Sequence, residues 1–449
     1  MKWYWQLKWC WQDLFRKIKI YSDFRFLILA SFTIPLSLIG IFKIQGDIKW
    51  FWVFALIISL LLSFLNKYSL ITSLIFLLCF GLIIYFDSFY SIKTTNNIIG
   101  KIIKINNNAF EISTDNGSAF IIGKTNFDIG SIVSIEGQKT TLNDLSFINY
   151  LKSRNITFNL KLKTETLISK SYSIKTYIEN FVNSQNNLYK DFTNIFILGK
   201  INNLELKEKF MNLNIIHLFV ISGFHIYYIN KVLNKIFRFK SGDFISLIII
   251  FIYLSLIDFQ IPSTKTFFIL LISKINKKFW NKNLSNMHIF FIVLNFYLLN
   301  NVNNIYSLSF VLTFVFSFFI NLINSVKIKH KYLKNIFFWF FINIISITLN
   351  LYLNGSISLF MPLYGIIYTI IISIIYPIIF LTWWLIPFSN LIYWIFENTI
   401  YFFNSFNLVI KINQFSIWLI YELYLLYFII LFILICKTNR PKYYAHFYV

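Results

Sequence analysis

The sequence predicts a polytopic α-helical membrane protein with a small β-barrel inserted as an extracytoplasmic domain. Three observations predict it. Only 13% of the 449 residues are charged and 57% are hydrophobic, whereas a soluble domain of ordinary composition carries about 25% charged residues. Uncharged apolar runs recur at 70–85, 244–257, 306–326, 336–396 and 412–421, the last resuming after Glu422 as far as 436. A polar, β-patterned stretch interrupts these runs between 91 and 171. Most of the runs approach or exceed the roughly 20 residues that cross about 30 Å of hydrocarbon. They are continuous and not alternating, so helices are expected to satisfy the backbone in lipid.

The first segment, 1–90, opens basic and aromatic. Lys2, Lys8, Arg16, Lys17, Lys19 and Arg25 interleave with Trp3, Trp5, Trp9 and Trp11, the composition of a cytoplasmic membrane interface. Spans follow at about 26–42, 48–64 and 70–86. Three crossings from an inside N-terminus put 91–171 outside the cytoplasm. An amphipathic helical segment, 172–213, is expected along the membrane surface. A multi-helix region occupies 214–436, and 437–449 is a basic cytoplasmic tail. Basic loops at 274–282 and 327–334 also belong inside. The expected location is therefore the cytoplasmic membrane, with multiple passes.

The formal net charge of +23 suits an acidic partner such as nucleic acid or anionic lipid. Abundant Lys, Asn, Ile, Phe and Tyr are equally what an AT-rich coding sequence produces, so charge alone does not choose. Cys10, Cys79 and Cys436 have no metal-ligand spacing, and no disulfide framework is expected. No small-residue cleavage site follows the first apolar run, so no cleaved leader is expected.

Within 91–171, residues 98–105 alternate as a strand. Strands at 109–114 and 118–122 flank Asp115-Asn116-Gly117, a hairpin signal. Asp128-Ile129-Gly130 leads into a strand at 132–136. Several short strands in so small a span suggest a barrel of the oligonucleotide/oligosaccharide-binding (OB) type, with a small antiparallel sandwich as the alternative.

Two segments carry chemistry. The run His217-Leu218-Phe219-Val220-Ile221-Ser222-Gly223-Phe224-His225 opens an apolar stretch. Polar groups at membrane depth face a bundle interior or a water-filled cavity. His217 and His225 lie about 80° apart around a helix, Ser222 and His225 are surface neighbours, and Gly223 lets another helix or a ligand approach closely. A Ser–His nucleophile pair lacks an acid to orient it. A metal site needs more than two histidines. Packing between helices and lining of a polar path remain. The second segment is Asp258-Phe259-Gln260-Ile261-Pro262-Ser263-Thr264-Lys265. It reads as a discontinuous or re-entrant helix, or as a surface loop. Lys265 can pair with Asp258 or face an anionic ligand.

In this order the segments resemble the ComEC family of competence proteins. That family has a run of His, Leu, two apolar residues, Ile, Ser, Gly, apolar, His and Ile, which 217–226 reproduces. Leu198-Gly199 and the charged helix 204–210 precede it as in the family. Asn214 stands where the family has Gly, and Asn tolerates the left-handed conformation. Pro262-Ser263 to Lys265 resembles a Pro-Ser-x-x-Arg segment, with Lys near the Arg position. Ser309 to Phe314 resembles Gly-Phe-Gln-Leu-Ser-Phe, with Gly and Gln replaced. Residues 147–151 with Asn155-Ile156 resemble the element that follows the family's barrel domain.

The resemblance implies a channel that passes single-stranded DNA across the cytoplasmic membrane during uptake. It implies a translocation path past His217, Ser222, Gly223, His225, Asp258, Pro262 and Lys265. On the barrel, Lys101, Lys104, Lys124, Phe110 and Phe120 are candidates for holding the strand through charge and stacking. No phosphate-binding loop is present, so a cytoplasmic helicase-like ATPase and an extracytoplasmic DNA receptor are the implied partners, beside membrane lipid. A homo-oligomer is compatible with the sequence. No His-x-His-x-Asp-His run occurs, so the resemblance covers the permease part and carries no nuclease. Neither enzyme activity nor a cofactor is expected. The alternatives are a secondary transporter of small anionic solutes such as nucleotides, and a membrane enzyme built on the histidine pair.

Overall fold

The computed structural model describes residues 67–88, 97–139 apart from 107 and 116, 145–170, 174–219, 223–238, 242–279, 284–325 and 355–411, with isolated positions near 38–57 and 332–347. The expected spans at 26–42 and 48–64, the last apolar run and the basic tail lie outside the described residues. The span expected at 70–86 is helix α1, Lys67–Ser88. The chain divides into two compact units. One comprises 1–176 and 280–311, the other 177–279 and 312–449.

The first unit carries the barrel. Strands β1 (Asn97–Asn106), β2 (Ala109–Thr114), β3 (Gly117–Ile122), β4 (Ile132–Lys139) and β5 (Ile156–Ser169) close in the order β1-β2-β3-β5-β4. β3 and β5 pair in parallel, and the other neighbours are antiparallel. The period of two puts Ile98, Ile102, Phe110, Ile112, Ala119, Ile121, Val133, Ile135, Phe158 and Leu160 inside. Each large side chain buried there contributes about 1.5–3 kcal/mol relative to exposure. The hairpin falls where Asp115-Asn116-Gly117 predicts it, with Thr114 opposite Gly117. Gly117 has φ +128°, and a Cβ there would collide with the Thr157 hydroxyl.

Helix α2 (Leu145–Ser153) lies between β4 and β5. Residues 147–156 are therefore inside the barrel's chain path. This corrects their reading as an element that follows it. β5, Ile-Thr-Phe-Asn-Leu-Lys-Leu-Lys-Thr-Glu-Thr, alternates as well as any other strand. Its second half is exposed, and no strand is assigned to it from sequence within 91–171.

α2 covers the outer face of β2 and β3. Phe120 points out of the barrel onto Phe147 and Tyr150, at ring distances of 5.7 and 6.2 Å. Arg154 holds the buried Glu111 of β2 at 3.0 Å. The Asn301 amide, between α10 (Asn286–Asn300) and a short 3₁₀ turn, donates to the Ser153 carbonyl at 3.2 Å.

The second unit is helical. α3 (Ile174–Asn183) leads to α4 (Asn187–Thr193), which runs on into a π-helical turn, Asn194–Leu198. Asn186 caps α4 by accepting from the Tyr189 N–H at 2.8 Å. Next come α5 (Leu204–Asn212), α6 (Ile216–Phe219), α7 (Gly223–Ile236), α8 (Gly242–Leu256) and α9 (Ile261–Phe279). After α11 (Leu308–Ser325), helices α12 (Met361–Thr382) and α13 (Ile386–Ser405) follow. Strands β6 (Ser356–Ser358) and β7 (Val409–Lys411) tie the outer ends of α12 and α13 together. The stretch 172–213 does not simply lie on a surface. Tyr189, Phe192 and Asn194–Leu198 are buried in the core of this unit, against α12 and α13.

Among the described residues, α12 is the one helix long and apolar enough to cross a membrane. α8, α10 and 309–321 of α11 are apolar but shorter.

Candidate functional site

The site grows from the turn after α5. Its last residues close as a Schellman motif. The Ile215 N–H reaches the Phe210 carbonyl at 2.9 Å and the Asn214 N–H reaches Met211 at 2.9 Å. Such a turn requires a left-handed residue, usually Gly, and Asn214 takes it with φ +56°. Asn214→Gly is expected to leave stability nearly unchanged, while the β-branched Asn214→Val costs about 1–2 kcal/mol. Thermal unfolding of the two purified variants checks this.

That turn delivers the chain to α6 and α7. His217 sits on α6, where the backbone alone is described, and Ser222 lies outside the described residues. Gly223 begins α7 against α9: a Cβ there would strike the Thr266 hydroxyl and stand 3.4 Å from the Pro262 carbonyl. Two turns of helix thus meet at backbone distance because Gly has no side chain. His225 is 2% exposed, with its ring 4.2 Å from that of Tyr376 on α12. The Tyr376 hydroxyl meets the Tyr253 hydroxyl of α8 at 2.8 Å. Tyr253 points on to the Phe196 carbonyl in the π-turn, at 3.5 Å. A line of polar groups therefore runs through an otherwise apolar core. Buried polar groups of this kind need partners, which fixes helix register.

Asp258 and Phe259 form the reversal between α8 and α9. Both have positive φ, +56° and +47°, a conformation costing about 1 kcal/mol or more for each. Packing holds them there: Phe259 contacts Phe251 of α8, and Phe251 contacts Phe267 of α9. At the far end, Lys274 of α9 reaches back to Ser246 of α8 at 3.0 Å. The break is thus an antiparallel helical hairpin, not one helix interrupted. Phe251, Phe267 and Lys274 supply the contacts that period alone could not assign. Pro262 stands in the first turn of α9, where a missing N–H costs nothing.

Lys265 is 6% exposed. Its ammonium donates to the Thr313 carbonyl at 3.1 Å and to the Ser317 hydroxyl, both on α11, and lies 5.5 Å from the Phe314 ring. It binds α9 to α11 through neutral acceptors.

On the barrel the five candidates part company. Lys101 and Lys124 are exposed and Lys104 is half-buried. Phe110 is in the barrel core and Phe120 lies beneath α2. Neither ring is open to stack on a base, which corrects their assignment. Inward alternation buries Phe110, and a helix distant in pattern covers Phe120. Residues 97–170 hold nine basic and six acidic side chains, a net charge of +3, so little of the chain's charge resides there.

In a further cluster, the Glu205–Lys209 spacing is a local signal but Tyr401 is not. Lys209 of α5 bonds Glu205 one turn away and sits 3.5 Å above the Tyr401 ring of α13. The Lys209 hydrogen bond holds the Glu205 carboxyl below its usual range. Among the described residues, no group of three or more His, Cys, Asp or Glu could hold a metal.

Residues 197–439, more than half of the chain, match the family model described as Competence protein. The chain belongs to the competence protein family. The match begins inside the π-turn and takes in the buried His225 line, the α8–α9 hairpin, Lys265 and both α12 and α13. Two relatives are themselves uncharacterized. Protein MG316 of Mycoplasma genitalium is 27% identical over 200 residues, 44% of this chain and 52% of that protein. Its homolog in Mycoplasma pneumoniae is 23% identical over 184 residues, 40% of this chain and 48% of that one. The chain thus spans about half the length of the curated relatives it matches. No solved structure matches this competence family chain.

Proposed function

We propose that this chain serves DNA uptake as a polytopic protein of the cytoplasmic membrane that passes a single strand of DNA inward. The observation that carries the reading is the family's His–Ser-Gly–His run. It falls within the matched region, and there Gly223 and His225 join α7 to α9 and α12 through the polar line of the core. α12 supplies one span by length and composition. Tyr253 of the shorter apolar helix α8 meets Tyr376 of that span. His217, Ser222, His225, Asp258, Pro262 and Lys265 belong to the path, and Lys265 offsets phosphate charge as the strand passes. Lys101, Lys104 and Lys124 draw the strand to the barrel electrostatically. A cytoplasmic helicase-like ATPase supplies the pull, an extracytoplasmic receptor delivers the DNA, and copies of the chain can assemble. The chain itself carries out no covalent chemistry and holds no cofactor.

The test is entry of labelled DNA into cells. The double substitution His217→Ala, Ser222→Ala is expected to reduce internal DNA at least tenfold at matched membrane abundance, with surface-bound DNA unchanged. Undiminished entry would return the motif to a packing role and favour transport of small anionic solutes such as nucleotides. Loss of activity on chelating metal would instead favour the histidine-pair enzyme.

A further inference from the structure

One end of the helical unit concentrates charge. Between 223 and 279 the sequence has eight basic residues and two acids, Asp243 and Asp258. Asp258 belongs to the opposite, hairpin end. The other end gathers the C-terminus of α7, the N-terminus of α8 and the C-terminus of α9. They are tied there by Lys274, which reaches the Asn230 side chain of α7 at 3.3 Å and Ser246 of α8 at 3.0 Å. Asp243, the acid of this end, lies 3.7 Å from Lys274. Around this knot, Lys231, Lys235, Arg238, Lys277 and Lys278 are all exposed.

An apolar stripe begins at the same place. Phe244, Ile248, Phe251 and Ile252 share one face of α8 by spacing, with exposures of 37%, 59%, 52% and 58%. Lys278 sits over the Phe244 ring at 4.6 Å from its centroid, which joins the cationic end to the top of the stripe. Cations at one end and an open apolar face running away from them match one kind of molecule. An amphiphile with an anionic head places its head on the cations and its chain along the stripe. A nucleic acid strand is complementary to the cations alone and makes no use of the stripe.

We infer that this end of α7, α8 and α9 is a docking surface for an anionic phospholipid, its phosphate held by Lys235, Arg238 and Lys277 and its acyl chain laid along Phe244, Ile248 and Ile252. The inference rests on the membrane placement proposed above but not on DNA passage. Lipid retention is read without DNA, so failure of either assay leaves the other standing.

The experiment uses the full chain purified in mild detergent, with phosphatidylglycerol and phosphatidylcholine titrated in and retained lipid counted by native mass spectrometry. Wild type is expected to retain phosphatidylglycerol over phosphatidylcholine. Each cation removed should weaken retention about fivefold, so Lys235→Gln, Arg238→Gln, Lys277→Gln together should weaken it about a hundredfold. Lys274 is left in place to preserve the knot. A control, Lys161→Gln, Lys163→Gln, Lys170→Gln, removes as many exposed charges from β5 and its end and should change nothing. Equal retention by the triple variant and wild type overturns the inference. So does glycerol phosphate binding as tightly as the lipid, because the stripe then plays no part. A 20-nucleotide oligothymidine that binds wild type and loses affinity in the triple variant, while lipid retention holds, reassigns the cations to nucleic acid.

Discussion

Lys265→Glu is expected to destabilise the helical unit by at least about 3–5 kcal/mol, and Lys265→Met by less than about 1.5 kcal/mol. The two substitutions differ only in what they set against α11. The glutamate carboxylate would face the Thr313 carbonyl and a Ser317 hydroxyl whose proton is already given to that carbonyl, and a buried unpaired charge carries the full cost of losing water. Methionine keeps the volume of the lysine stem. Thr313 does not lose its remaining partner, since the Ser317 hydroxyl donates to it at 2.8 Å. Thermal unfolding in detergent separates the variants. DNA entry then gives a second reading. If Lys265 offsets phosphate on the path, Lys265→Met folds and yet transfers less DNA. If it only joins α9 to α11, the methionine chain transfers normally.

Phe196→Ala is expected to cost about 3–5 kcal/mol, among the largest losses from any single truncation. Phe196 lies in the π-turn and is 2% exposed. Its ring is stacked on Tyr393 at 6.1 Å and meets Phe396 at 5.6 Å and Phe219 at 6.3 Å. The cavity would open where α6, α12 and α13 converge on it. Tyr376→Phe, one contact away, keeps the ring and removes the hydroxyl that Tyr253 meets, so its cost is about 1 kcal/mol. Unfolding midpoints of the two variants should therefore differ severalfold in their displacement from wild type.

Much of the barrel was legible because strands announce themselves locally. Alternation in 98–105 and the Asp-Asn-Gly turn are short-range signals, and all four strands read from sequence begin within one residue of the observed start. β5 lay inside the predicted barrel domain but was not assigned as a strand although it alternates, because no turn signal like Asp115-Asn116-Gly117 marks its start. At the site, Asn214 was readable in advance: a residue that tolerates positive φ stood where a turn demands it. Gly223 was readable too, as a place of close approach. The aromatic and polar core was not. Tyr189 comes from the amphipathic segment, Tyr253 from the run 244–257, and Tyr376 and Tyr393 from the run 336–396, and nothing in the spacing of one segment says that another segment's tyrosine will meet it. Phe120 fails for the same reason. Its outward direction follows from the pleat, but the helix that covers it is a tertiary fact.

The bonds that close the helical unit also set a schedule for making it. The Tyr189 hydroxyl donates to the Trp383 carbonyl at 2.6 Å, and Thr193 meets the Tyr393 hydroxyl at 3.1 Å. Partners so far apart in the chain cannot meet until α12 and α13 have left the ribosome. At about 5–20 residues per second that is a wait of roughly 10–40 s. During it, α4 and α7 have been synthesised but Thr193 lacks Tyr393 and His225 lacks Tyr376. In the membrane placement proposed above, such side chains would be sheltered in that interval by the insertion machinery or by water, because lipid offers them no partner. Slow codons or mutations that delay α12 and α13 would therefore act on the fate of helices made long before them.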